Sequence, residues 1–363
     1  MPDMRFGLQL FPWHTAPQVV AYARRALSQF PFHRVWLPDH LGHENVFVTL
    51  AALIIQSDAR VGTSVTHGYL RTPVDLASSF AALAHLAGER GITVGIGGSA
   101  ATSDMIRKRR RVTVLRETIL FLRRMFAGEK TTLGEFPSLA DFFHLDPAAQ
   151  ALLHLPPAQP PEIFVAAAGP QTLRIAGELG DGLILSNFSF PTALVRQGGM
   201  EDPMGIVEQA RRSQGSGRPF TKVLHLHVSV SRDGAQARRF SKRLSTIALV
   251  RSNHPREKLI QLGVSDEQAT AIEKAYLQGV GFDAMESLVT DRLIEESGII
   301  VAGTPAQCIA QLDELLRLVK SYRFDMVDIA TPLGPNLEEA IDIVCREIIP
   351  ELQRRSHAYR ESN

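Results

Sequence analysis

Short apolar runs alternate with longer helical patterns along almost the whole chain, and this alternation constrains the fold most. Eight runs read as strands: Arg5 to Leu10, Arg34 to Leu37, Arg60 to Val65, Thr93 to Ile96, Ile163 to Ala167, Gly182 to Leu185, Val223 to Val230 and Met326 to Ile329. Pro17 to Ser28, Pro73 to Ala87, Thr113 to Phe126, Thr172 to Leu179, Pro305 to Val319 and Leu337 to Ile349 read as helices. Several begin at or near proline, which is tolerated in a first turn because its missing N–H has no partner there. Repeated βα units build a parallel sheet. The expected class is α/β; eight strands suit a closed (β/α)8 TIM barrel, and a doubly wound open sheet alternates in the same way.

Two segments break the rhythm, at 128–161 and 252–301. The first carries Pro156-Pro157 and Pro160-Pro161, and the second has helical patterns of its own from Asp266 to Gln278. Long insertions of this kind either cover a ligand face or brace the periphery. The organisation expected is one domain over 1–350 with these two insertions, followed by a C-terminal tail over 351–363.

Composition narrows the function classes. The 363 residues carry 39 Lys and Arg against 38 Asp and Glu, a formal charge of +1. That balance gives no broad electrostatic reason to bind nucleic acid or an anionic membrane. Arg107 to Arg111 is a dense basic run, but no aromatic residues interleave and a helix follows, so a solvated helix face or contacts to an anionic ligand tail fit better than a nucleic-acid arm. Cys308 and Cys345, the two cysteines, stand apart in helical segments, which argues against a disulfide framework or cysteine metal site. No charged leader with an apolar core opens the sequence, and no apolar run approaches membrane-spanning length, so a cytoplasmic protein is expected.

The polar residues that follow strands are the candidates for chemistry, because ligand sites of parallel barrels form at the C-terminal strand ends. Val35-Trp36-Leu37-Pro38 runs into Asp39-His40, Arg60 to Thr66 runs into His67-Gly68-Tyr69, and Thr93 to Ile96 runs into Gly97-Gly98-Ser99. An imidazole beside a carboxylate can be tuned for proton transfer, which makes His40 a candidate catalytic group; a structural strand-end histidine is the alternative. Gly97 and Gly98 permit close backbone approach, and Ser99 can donate to a phosphate or hydroxyl. Gly169-Pro170-Gln171-Thr172 opens a helix whose free amides favour an anion. Trp13, His14, His43, Glu44, His67 and Tyr69 follow strands one to three and could line a substrate cleft. His225 and His227 share one face of a strand, but no third ligand stands at a recognisable spacing, so no metal is expected.

Asp39-His40, Gly62-Thr63-Ser64-Val65-Thr66, Gly95-Ile96-Gly97-Gly98-Ser99 and the segment Val165 to Leu185, with its Ala168-Gly169-Pro170 turn and Gly180-Asp181-Gly182, together resemble the bacterial-luciferase-like oxidoreductase superfamily. Within it the chain resembles the branch that uses the deazaflavin coenzyme F420, including methylenetetrahydromethanopterin reductase and F420-dependent glucose-6-phosphate dehydrogenase. The resemblance covers roughly residues 4 to 350. It implies a TIM barrel, a homodimer, and a deazaflavin contacted by Asp39, Ser64, Val65, Thr66, Gly97, Gly98, Ser99, Ala168, Gly169, Gln171, Thr172 and Ser186. It also implies His40 as a proton-transfer residue and a non-prolyl cis peptide at Ser64-Val65 that presses on one face of the ring. Ser99 stands where the glucose-6-phosphate enzymes carry a glutamate, and their sugar-phosphate lysines have no clear match. The Val65 to Tyr69 turn follows the spacing of the reductases more closely.

The expected function is therefore hydride transfer between F420 and a small organic substrate, with Trp13, His43, Glu44 and His67 on the substrate side. An FMN-dependent monooxygenase and a non-catalytic flavin- or partner-binding barrel are the alternatives. Because Asp39, His40, Thr66 and Ser99 keep the barrel mouth polar, they weigh against the last.

Overall fold

The computed structural model describes residues 4–11, 13–98, 106, 111–188, 202–215, 217–250, 259–278 and 287–361. Ser99 and Arg107 to Arg110 lie outside them. Eight strands form the barrel: β1 (Arg5–Gln9), β2 (Arg34–Leu37), β3 (Val61–Thr63), β4 (Ile92–Gly97), β5 (Glu162–Ala166), β6 (Gly182–Ser186), β7 (Thr221–Val230) and β8 (Met326–Leu333). Each pairs in parallel with the next, and β8 pairs with β1, closing the ring. Closure removes the sheet edges and brings all eight C-terminal ends to one mouth.

Helices cover the outside. α1 (Ala16–Leu27) starts from Thr15, with Gln18 three residues into the helix reaching back to the Thr15 N–H at 3.0 Å. α2 (Val46–Gln56) is capped by Asn45, α3 (Pro73–Ala87) by Thr72, and α4 (Arg111–Phe126) and α5 (Pro170–Leu179) follow β4 and β5. Asn45 accepts from the Phe47 and Val48 N–H groups and Thr72 from that of Asp75, first-turn donors that the helix itself leaves open. A continuous apolar core lies between strands and helices, with Leu50, Phe80, Phe121 and Ile348 fully buried.

A second cluster fills the barrel interior: Trp36, Phe164, Ile184, Val223 and Met326. Gly62 makes room for the indole, since a Cβ there would stand 2.7 Å from Trp36. Truncating Trp36 or Phe164 to alanine would cost about 3–5 kcal/mol in a layer this closely packed.

Several expectations from sequence are corrected. β3 ends at Thr63 rather than Val65, because the Ser64–Val65 peptide is cis and the chain rejoins the sheet through a single bridge from Thr66 to Ile96. β8 runs past Ile329 to Leu333 across a register shift at Pro332, where a ladder N–H is missing. α2 was not foreseen: Val46 to Ile55 is apolar on all sides, which blurs the helical period. Within 252–301 lie helices Asp266–Leu277 and Asp291–Ser297, packed on a small core of their own that includes Leu259, Ile272, Ile294 and Ile300. A short strand, Val301–Gly303, then pairs with the free end of β7, which outruns its neighbours. Residues 351–361 form not a tail but the last helix, Ile349–Glu361.

Candidate active site

The mouth is assembled from the segments that leave β1 to β7. After β2, Asp39 is buried, and its backbone N–H donates to the Val65 carbonyl at 3.2 Å, tying the two strand ends together. Its carboxylate accepts from the Thr66 hydroxyl at 2.6 Å and from both terminal nitrogens of Arg71, at 3.1 Å for Nη2. The Arg71 guanidinium lies over the Phe47 ring, 4.7 Å from its centroid. Asp39 is therefore a fixed, bidentate-paired carboxylate whose orientation is set by Arg71 and Thr66.

His40 points elsewhere. Its ring packs 4.8 Å from Phe11 and 6.0 Å from His43, and Phe11 in turn lies 4.5 Å from Trp13. Phe11, Trp13, His40 and His43 form an aromatic wall over the β1 and β2 ends, with His40 half-buried and Trp13, His43 and Glu44 exposed. This wall offers apolar contact with two imidazoles, those of His40 and His43, set into it.

The β3 exit carries the cis Ser64–Val65 bond, with Ser64 buried and Val65 partly open. The Ser64 carbonyl accepts from Gln9 Nε2 at 2.6 Å, and Gln9 Oε1 accepts from the Thr331 hydroxyl at 3.0 Å. Thr66 N–H donates to Gly95 O and Gly97 N–H to Thr66 O, at 2.8 and 3.1 Å. His67 is 1% exposed, and its Nδ1 lies 2.9 Å from the Gly97 carbonyl. That bond ties β3 to β4, and the burial sets His67 apart from the open residues expected beside it. Tyr69 is likewise buried, edge-on to Phe142, with its phenol pushed up to about 12 by burial.

At the β5 exit, Ala168 and Gly169 donate to the Thr172 hydroxyl, both at 3.3 Å, and that hydroxyl donates to the Gly169 carbonyl at 3.0 Å. Pro170 has no N–H. The amides of Gln171 and Thr172 are therefore the first-turn donors facing out of α5, since Leu173 already donates to Gly169 O. Ser186 ends β6 and accepts from Phe188 N–H at 3.2 Å.

The residues present fit a flat, anionic-tailed cofactor. Among the described residues, chain neighbours aside, no atom stands within 4 Å of where a Cβ would sit at Gly98 or Gly169, which leaves both backbones room for close approach. Asn187, beside Ser186, has a buried Nδ2 without a partner among the described residues. His40, Asp39, Ser64, Val65, Thr66, Gly97, Gly98, Ala168, Gly169, Gln171, Thr172 and Ser186 all stand at strand exits on the one mouth, while Ser99 lies outside the described residues. Among the described residues no group of three or more His, Cys, Asp or Glu side chains could hold a metal. Cys308 and Cys345 are free and buried. No described helix is long and apolar enough to cross a membrane.

Sequence reasoning missed Arg71, Phe11 and Gln9. Arg71 lies two residues beyond the Val65 to Tyr69 turn, immediately before the Thr72-Pro73 helix start, and a lone arginine between a buried strand end and a cap was the available signal. Gln9 is the polar residue in an otherwise apolar strand.

Comparison with known proteins agrees with this architecture. The chain is 29% identical over 353 residues to a 5,10-methylenetetrahydromethanopterin reductase of Methanolobus tindarius, covering 95% of this chain and 100% of the relative. It is 34% identical over 183 residues to an F420-dependent hydroxymycolic acid dehydrogenase of Mycobacterium tuberculosis, covering 46% and 48% of the two chains. The structure of the coenzyme F420 dependent tetrahydromethanopterin reductase from Methanopyrus kandleri superposes with a TM-score of 0.72 at 19% identity, over 96% of this chain and 99% of that one. The family model described as luciferase-like monooxygenase matches residues 4–319, and the chain belongs to that family.

Proposed function

We propose that this protein is an oxidoreductase that moves a hydride between coenzyme F420 and a small organic substrate. The observation that carries the reading is the set of open backbones and donors around a single mouth, in a chain that aligns end to end with a methylenetetrahydromethanopterin reductase. The departure at Ser99 and the missing sugar-phosphate lysines weigh against glucose-6-phosphate as substrate.

F420, when bound, supplies a ring carbon that accepts or gives the hydride. The chain's own residues do the rest. Ser64, Val65, Thr66, Gly97 and Gly98 support the ring; Asp39, fixed by Arg71 and Thr66, orients one edge; and Gln171, Thr172, Ala168, Gly169 and Ser186 hold the polar side chain and its phosphate at the start of α5. His40 exchanges a proton with the substrate, and Trp13, His43 and Glu44 cover the substrate side. The chain pairs with a second copy of itself through α2, where Val48 and Ile55 stand 62% and 71% exposed on one helical face. The experiment that tests this reading is to purify the protein from a host that makes both F420 and FMN and identify the retained small molecule by absorbance and mass. Retained F420 supports it; retained FMN points instead to the monooxygenase.

A further inference from the structure

His225 and His227, which the sequence set apart without a role, lie inside the barrel and are anchored by different acceptors. His225 Nδ1 is 3.3 Å from Asp328 Oδ2, deep in the barrel, where a Cβ on Gly7 would stand 2.0 Å from the other Asp328 oxygen. His227 Nδ1 is 2.6 Å from the Thr331 carbonyl. A carbonyl only accepts, so Nδ1 carries the proton and Nε2 bears the lone pair of the neutral ring.

From His227 the donors all run one way. Nδ1–H donates to Thr331 O, the Thr331 hydroxyl donates to Gln9 Oε1, and Gln9 Nε2 donates to Ser64 O. The chain crosses the mouth from β7 through β8 and β1 to the end of β3, and in a ring of eight strands β3 and β7 are diametrically opposite. A ligand lying against the β3 exit would face β7, the strand that carries His227, across the barrel.

The imidazole is also held in plane. It stacks on Phe188 with centroids 3.6 Å apart and planes 4° apart, and its backbone N–H donates to Asn187 Oδ1 at 3.1 Å. Among the described residues no hydrogen bond engages Nε2, on a residue 8% exposed in the mouthward half of β7. Burial and the neighbouring His225 keep the ring well below its ordinary pKa, against the opposing effect of the Thr331 bond. A neutral acceptor in such a place repels the oxygens of an anion and matches a donor.

We propose that His227 is a substrate-contacting residue whose Nε2 accepts a hydrogen bond from a neutral hydroxyl or N–H group of the substrate, which selects against carboxylate or phosphate at that position. The proposal deepens the functional reading above and rests on it for the word substrate.

The test uses the full chain labelled with 15N-histidine, with and without F420, observed by NMR during titration with 2-propanol, with acetone, which has the same skeleton and no donor, and with lactate, which is an anion. The expected result is a His227 ring protonated at Nδ1, with an Nε2 resonance that moves saturably with 2-propanol and not with acetone or lactate. In His227→Phe, 2-propanol affinity should fall by about fivefold to tenfold, the worth of one hydrogen bond, with acetone unchanged within about twofold. Should His227→Phe not fold, His227→Gln, which keeps an acceptor, should retain the preference for 2-propanol. A ring protonated at Nε2, an equal response to acetone or lactate, or no response overturns the proposal. F420 loading is followed separately by fluorescence: failure to load removes the functional reading, while the acceptor stands or falls on the cofactor-free titration.

Discussion

Arg71 grips the buried Asp39 with both terminal guanidinium nitrogens while lying across Phe47, so the carboxylate at the mouth is positioned by a residue thirty-two places along the chain. Removing one partner of such a pair leaves an uncompensated buried charge, which costs about 3–5 kcal/mol. Arg71→Gln should lower the unfolding free energy by an amount of that order, with the urea midpoint falling accordingly, and weaken F420 binding. Arg71→Lys, which keeps the charge without the planar fork, should fall between the two. Urea unfolding of the three proteins at neutral pH checks the order; a stability for Arg71→Gln equal to wild type would show the pair to be dispensable.

His40 is set in the aromatic wall after β2, its ring 4.8 Å from Phe11, and we propose it as the group that exchanges a proton with the substrate. A positioned acid or base contributes a factor on the order of a hundred to ten thousand. His40→Ala should reduce turnover by that factor and leave F420 affinity within about threefold. Steady-state rates alongside a fluorescence titration separate the two effects. Turnover near wild type would make His40 structural and turn attention to Glu44.

At the start of α5, Gly169 N–H joins Ala168 in donating to the Thr172 hydroxyl. Gly169→Pro removes that donor and pulls φ from −118° toward the fixed proline value. F420 affinity should drop at least about tenfold while circular dichroism stays unchanged. Undiminished affinity in a folded variant would place the phosphate elsewhere.

His33 provides a pH signature away from the site. Burial, then the positive charges of Arg5, Arg34 and Arg60, push its imidazole down to about 4, and Arg5 Nη1 donates to its Nε2 at 3.1 Å. The folded state therefore binds this proton less readily than the unfolded chain, whose histidine titrates near the ordinary 6.5. The His33 contribution is full above about 6.5 and is lost as pH falls from there toward 4. His33→Gln, which keeps an acceptor but does not titrate, should show a smaller drop in urea stability between pH 7 and pH 5 than wild type. Parallel losses in the two proteins would exclude His33 as a source.

The exposed Val48 and Ile55 predict self-association. Sedimentation of wild type should give a dimer, and Ile55→Glu a folded monomer. A wild-type monomer at micromolar concentration would remove the proposed interface.

Much of this was legible in sequence because barrels write their strands as short apolar runs and their mouths as the polar residues after them. Asp39-His40 and the Gly169 turn were visible for that reason. What escaped depended on contacts between distant segments. Nothing local says that Arg71 returns to Asp39, that Thr331 reaches Gln9 across the β8 to β1 closure, or that His225 meets Asp328 from 103 residues away. α2 escaped for a different reason: Val48 and Ile55 are apolar on the outward face, so the helix lacks the polar stripe by which a surface helix is recognised. The Val301–Gly303 strand is three residues long and exists only because β7 extends beyond its neighbours.

The central claim is the identity of the cofactor, and a side-by-side fluorescence titration of the purified, cofactor-free protein with F420 and with FMN tests it most directly. The account predicts saturable F420 binding at least about tenfold tighter than FMN, weakened by Gly169→Pro. Equal or tighter binding of FMN would contradict it and move the protein to the flavin-dependent monooxygenases that share this fold.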